Sequence, residues 1–64
     1  MKKFIFYFDI VWCKKYIEIE AETFRQARDF FFNRVNHLKR VNLHRVAEVN
    51  GNDYKIIYDN YKKN

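Results

Sequence analysis

The first hydrophobic pattern along the chain is an alternation that predicts a strand with two apolar faces. In the segment FIFYFDIVW one face carries Phe4, Phe6, Phe8, Ile10 and Trp12. The other face carries Ile5, Tyr7, Asp9 and Val11. Small sheets usually bury one face and leave the other in water. The half-apolar second face therefore raises the question of what covers it.

A second alternation, YIEIEAE, predicts the partner strand of a hairpin. We predict a first strand from about Lys3 to Cys13 and a two-residue turn at Lys14-Lys15. Trp12 then pairs with Ile17, Ile10 with Ile19 and Phe8 with Ala21, which places these six apolar residues on one face. The opposite face collects Tyr7, Asp9, Val11, Cys13, Tyr16, Glu18, Glu20 and Glu22.

The spacing of apolar residues then changes to that of a helix. TFRQ, at residues 23–26, is a capping box in which the Thr23 hydroxyl accepts from the backbone of Gln26, whose side chain reaches back. The helix should end near Arg40, where basic residues suit the negative end of the helix dipole. Its core stripe is Phe24, Ala27, Phe31, Val35 and Leu38.

The last third of the chain predicts a second hairpin. Asn50-Gly51 is a strong turn signal between a strand at about Leu43–Val49 and another at about Tyr54–Tyr61. The whole pattern predicts one α+β domain over residues 1–64 in the order ββαββ. Its four-stranded, mostly antiparallel sheet carries one helix on one face, so the other face has no cover within the chain.

Composition and charge limit the function classes. The chain has 64 residues, 13 basic and 8 acidic, and a net charge of +5, an excess that is compatible with nucleic-acid binding. The apolar start is interrupted by Asp9 and is shorter than the ~20 residues that span a bilayer, which predicts no membrane partner and a cytoplasmic protein. Abundant Asn, Lys, Ile, Phe and Tyr, whose codons are AT-rich, indicate a low-GC bacterium or a phage or mobile element within one.

The sequence offers little chemistry. The chain has no Ser, which excludes a serine triad. The soft ligands are Cys13, His37 and His44, and the two histidines lack the short paired spacing of zinc sites. Neither histidine is placed to activate the thiol as a nucleophile. We therefore expect no catalytic residue, no metal and no cofactor.

Two surfaces are candidates for binding. The outer helix face should present Arg25, Arg28, Phe32, Asn36, Lys39 and Arg40. An aromatic ring among cations can stack on a nucleobase or anchor a protein interface. The open sheet face should present Tyr7, Val11, Tyr16 and Glu18. Its carboxylates repel phosphates, so we expect a protein there, and a homodimer through this face or an edge strand.

The junction YIEIEAETFRQARDFF resembles a pattern in small proteins of phages and mobile elements, a group that includes anti-CRISPR and other anti-defence inhibitors. The matching positions are Ile17, Ile19, Ala21, Thr23, Phe24 and Ala27. The resemblance implies a stoichiometric inhibitor of a bacterial host protein, and it transfers no functional residue. The sequence thus predicts a non-catalytic protein-binding module, with nucleic-acid binding through the helix face as the alternative.

Overall fold

The fold is a single sheet with one helix on one side. The computed structural model describes residues 1–10, 13–38 and 40–60. The elements, in chain order, are β1 (Lys2–Ile10), β2 (Cys13–Ala21), α1 (Phe24–Val35), β3 (Val41–Asn50) and β4 (Asp53–Asp59). The strands lie in the order β2-β1-β3-β4, and every neighbouring pair is antiparallel. The predicted α+β fold in ββαββ order is confirmed.

Phenylalanine rings build the core between α1 and the sheet. The helix packs on β1 and β2. The Phe31 ring stacks on Phe6 with centroids 4.7 Å apart and meets Phe8 edge-on at 5.3 Å. All three side chains are buried, as are Ala27 and Val35 on the predicted helix stripe. Burial of large rings supplies much of the core of so short a chain.

The two ends of α1 differ in how well the sequence predicted them. At the start, the Thr23 Oγ1 accepts from the Gln26 N–H at 3.2 Å, and the Gln26 Oε1 accepts from the Glu22 N–H at 3.0 Å. At the other end the helix stops at Val35, so the predicted end near Arg40 is wrong. The Asn and His residues that follow Val35 are poor helix formers, and Arg40 adopts a left-handed φ of 59° that turns the chain towards β3.

The predicted register of the first hairpin is wrong. Phe8 pairs with Lys15 instead of Ala21, so the turn does not lie at Lys14-Lys15. The predicted register would have placed Asp9 opposite Glu20, whereas the observed one places Asp9 opposite Lys14. Opposite charges across a strand pair stabilise it and like charges do the reverse.

The two registers differ by an even number of positions, so Ile17, Ile19 and Ala21 remain on the helix side. Cys13 instead begins β2 opposite Ile10, on the side opposite to the one predicted. Val11 and Trp12 lie outside the described residues.

The second hairpin lies where its turn signal predicted. Asn50 pairs with Asp53, so Gly51 and Asn52 are the central turn residues. Gly51 has a φ of +64°, which glycine adopts at little cost. Both β3 and β4 begin before their predicted starts, and β4 ends at Asp59; Tyr61 lies outside the described residues.

Candidate functional site

Three tyrosines from three strands form a row across the face of the sheet opposite α1. Tyr16 lies on β2, Tyr7 on β1 and Tyr54 on β4. The Tyr7 and Tyr16 rings are 6.2 Å apart between centroids, tilted by 39°. The Tyr7 and Tyr54 hydroxyl oxygens are 3.3 Å apart. We call Tyr16, Tyr7 and Tyr54 the tyrosine row.

A small residue in β3 allows the row to cross that strand. Tyr7 lies opposite Arg45 and Tyr54 opposite Val49, so the line joining their hydroxyls passes over Ala47. Ala47 is fully buried, although α1 covers the other side of the sheet. The tyrosine side chains and the neighbouring strands therefore bury it, and a larger residue at this position would separate the two hydroxyls.

The surroundings of the row are apolar and partly exposed. Tyr16 is 65% exposed, Tyr54 57% and Ile56 37%. We define the tyrosine face as Ile5, Tyr7, Tyr16, Val49, Tyr54 and Ile56. Within residues 1–10, 13–38 and 40–60, no element packs over this face. Exposed apolar patches of this kind mark interaction sites. The second apolar face of the first strand, which carries Ile5 and Tyr7, is part of this patch.

Pairs of basic and acidic side chains border the tyrosine face. The Lys3 Nζ lies 3.6 Å from the Glu18 Oε1. The His44 Nε2 lies 2.6 Å from the Asp9 Oδ2. A register shift between Tyr7 and Phe8 leaves His44 as an extra residue in β3, which brings it onto the same face as Arg45.

Arg45 in turn lies 3.7 Å from Asp59, between Nη2 and Oδ2. Each of these basic groups thus has a carboxylate beside it. The border is mixed in sign rather than a basic patch.

The hydroxyl of Tyr7 is held in its protonated form. Its pKa is raised above the ordinary value of 10.0, first by the hydrogen bond with Tyr54 and then by burial. Deprotonation would weaken that hydrogen-bonded pair and place a charge at a partly buried position. The centre of the row is therefore neutral at physiological pH, as suits contact with another apolar surface.

The structure brings together only part of the predicted sites. Tyr7, Tyr16 and Glu18 lie on the open sheet face as predicted, and Val11 lies outside the described residues. The prediction missed Tyr54 and the other contributions of β3 and β4, because it left the sheet order open. The alternation of Tyr54 and Ile56 in YKIIY was the available signal.

The predicted helix surface is smaller than expected. Arg25 and Arg28 are exposed on α1, and Phe32 is 48% exposed with its ring edge-on to Phe31 at 5.3 Å. Asn36 caps the helix end. Arg40 lies beyond the helix in the turn before β3, and Lys39 lies outside the described residues.

The residues considered for chemistry are dispersed. Cys13 is exposed at the start of β2, His37 follows α1, and His44 lies in β3. Among the residues that the structure describes, no group of three or more His, Cys, Asp or Glu could hold a metal ion. Asp9 and Glu20, predicted neighbours, lie apart because Asp9 faces Lys14 and Glu20 faces Lys3.

Comparisons with known proteins assign no role to the tyrosine face. No protein-family model matches the chain, and neither curated proteins nor solved structures show a match. In the described part of the chain, α1 is too short and too polar to cross a bilayer.

Proposed function

We propose that this chain is a non-catalytic protein-binding module whose tyrosine face occupies the surface of a target protein. The observation that carries the proposal is the tyrosine row, with Tyr16 and Tyr54 each more than half exposed. Tyrosine supplies a large contact area at low entropic cost and is enriched among the residues that anchor interfaces. A broad sheet face suits a protein partner better than a small molecule, which usually requires a concave site.

The charges around the face also favour a protein. A nucleic-acid site requires basic groups free to neutralise phosphates. Here Lys3 lies next to Glu18, and Arg45 lies next to Asp59. A phosphate approaching either base would meet a carboxylate. A protein surface with its own mixed charges can match such a border.

The proposed target is a host protein in the bacterial cytoplasm, such as a component of a defence system. The support is the resemblance of residues 16–31 to small phage and mobile-element proteins, together with the AT-rich codon usage that the composition implies. The proposed action is stoichiometric: the module blocks a functional surface of its target.

An affinity pull-down from a low-GC bacterial lysate, with and without nuclease, tests the proposal. The tagged chain is compared with the double variant Tyr16→Ala/Tyr54→Ala. Tyr58→Ala is the matched control, because Tyr58 lies on β4 opposite Val46, on the helix side of the sheet. We expect a protein that survives nuclease and is retained by Tyr58→Ala but lost by the double variant. Retention by the double variant would show that the tyrosine face is not the binding surface.

Nucleic-acid binding by the helix is the second candidate, favoured by one observation. Phe32 is 48% exposed on the same helix as the exposed Arg25 and Arg28, so a base could stack on the ring while the cations hold phosphates. Its test is the double variant Arg28→Glu/Phe32→Ala with binding measured at increasing salt. Nucleic-acid binding should fall steeply with salt and be lost in this variant. Recovery of only nuclease-sensitive material in the pull-down would favour this candidate over the first.

A further inference from the structure

The strand β2 lies at one edge of the sheet and is regular along its whole length. It pairs with β1 on one side over nine residues, Cys13 to Ala21, without a register shift. The other edge strand, β4, has a register shift near Ile57 that disrupts its pairing with β3. Bulges are one way in which natural proteins protect an edge from pairing with another chain. The edge at β2 lacks that protection.

We propose that β2 pairs with β2 of a second copy of this chain, antiparallel and about a two-fold axis at Ile17, to form a continuous eight-stranded sheet. The proposal concerns the edge of the sheet and goes beyond the target-binding function proposed for the tyrosine face.

Backbone geometry limits the possible registers. Only two residues separate Ile10 from Cys13, and so short a connection closes on a hydrogen-bonded pair. The even-numbered residues of β2, from Lys14 to Glu20, then direct their N–H and C=O groups away from β1. Residues opposite each other in the dimer must share a face, so even residues face even residues across the axis.

Charge complementarity selects one of these registers. With the axis at Ile17, Lys14 of each copy lies opposite Glu20 of the other, and Tyr16 lies opposite Glu18. The ends of the strand also match, since Cys13 faces Ala21. An axis at Glu18 would oppose two identical carboxylates, and an axis at Tyr16 would leave Glu20 and Ala21 beyond the opposing β2. Of these three registers, only the one with its axis at Ile17 pairs the full length of β2 and places opposite charges across from each other.

An apolar groove on the helix side of the same edge offers a place for the added strand. The groove has a volume of about 460 Å³ and is lined by Glu18, Ile19, Glu20, Phe30, Asn33 and Arg34. Phe30 is 49% exposed beside β2. In the proposed register Lys15 of the second copy lies opposite Ile19, at this groove. Its aliphatic stem can cover the Phe30 ring and keep the ammonium group in water.

A symmetric cross-link tests the register directly. Ile17 faces itself at a non-hydrogen-bonded pair, where Cα atoms are about 4.5 Å apart, within the range that a disulfide spans. Ile17→Cys, made with Cys13→Ala to remove the native thiol, should form a covalent dimer under mild oxidation. Lys15→Cys in the same background is the matched control and should not, because residue 15 faces residue 19. A cross-link at 15 in place of 17 would overturn the register.

A charge swap tests the same pairing without a covalent bond. We expect the wild-type chain to sediment as a dimer at tens of micromolar. Lys14→Glu or Glu20→Lys alone should weaken self-association by roughly tenfold or more, since each opposes like charges at two symmetric positions. The double variant Lys14→Glu/Glu20→Lys should restore dimerisation.

The double variant also separates the dimer from the fold. Within one chain Lys14 faces Asp9 and Glu20 faces Lys3, so the swap makes both of these in-chain pairs repulsive. Rescue can then come only from pairing between copies, and circular dichroism verifies that every variant is folded. A monomeric wild type at tens of micromolar, or single variants that dimerise as well as wild type, would overturn the proposal.

Discussion

Two adjacent phenylalanines of α1 should differ sharply in how much each contributes to stability. Phe31 is fully buried and contacts Phe6 and Phe8, whereas Phe32 is 48% exposed. Replacing a buried Phe by Ala costs about 3–5 kcal/mol, including the cavity left behind. Replacing the half-exposed ring should cost about 1 kcal/mol, the value of its remaining burial.

The difference should be easy to measure, because a chain of this size has a small free energy of unfolding. At about 0.05–0.15 kcal/mol per residue, 64 residues have a stability of about 3–10 kcal/mol, so Phe31→Ala removes much or all of it. With a urea dependence of about 1 kcal/mol per molar, Phe32→Ala should lower the unfolding midpoint by about 1 M. Phe31→Ala should lower it by about 3 M or unfold the chain in buffer.

Urea titration followed by far-ultraviolet circular dichroism measures both midpoints. Phe31→Leu, which keeps an apolar side chain in the same place, should recover most of the loss. The ring contacts orient α1 so that Phe31, and not Phe32, faces the sheet. Equal midpoints for Phe31→Ala and Phe32→Ala would refute this orientation.

Three further changes probe the row and the helix start. Tyr7→Phe removes the hydrogen bond to Tyr54. Because folding raises the pKa of Tyr7 above 10.0, the stability that this bond contributes is fully present below pH 10.0 and is lost as the pH rises through the raised pKa. The urea midpoints of the wild type and Tyr7→Phe should therefore converge in alkali. Ala47→Leu should cost about 1–3 kcal/mol by overpacking beneath the row, and an unchanged midpoint would contradict the burial of Ala47 by the tyrosines. Thr23→Ala should cost about 1 kcal/mol through loss of the cap on the Gln26 N–H, measured by thermal unfolding, whereas Thr23→Ser should retain it.

Local patterns predicted the local features of this fold. Alternation identified the faces of β1 and β2, the capping box located the start of α1, and Gly51 marked the second turn. Apolar alternation alone, however, does not choose among registers that keep the same face. The cross-strand charges at Asp9 and Lys14 discriminate between those registers, and they were not weighed in the prediction.

The tyrosine row could not be predicted in full because it depends on long-range pairing. Tyr7 and Tyr54 meet only because β1 pairs with β3, which joins the two hairpins through strands that are far apart in the sequence. Nothing in the local sequence around Tyr54 specifies that neighbour. The length of α1 was also overestimated. Leu38 fits the apolar stripe of a longer helix, but it packs against the core after the helix has ended at Val35.

The unequal sharing of the core between the two hairpins has a consequence for dynamics. Among the described residues, the fully buried side chains of the helix-side core come from residues 4–35, except for Val46. The β3–β4 hairpin thus adds one buried side chain to this core, with Val41, Leu43 and Ile57 partly buried against it. We expect the hairpin to open as a separate cooperative unit at lower free energy than global unfolding. Amide hydrogen exchange should then be faster in β3 and β4 than in α1 and at the odd-numbered residues of β2, whose N–H groups point towards β1. Since Tyr54 moves with that unit, each opening dismantles the row, and a partner bound there would slow exchange across the whole second hairpin.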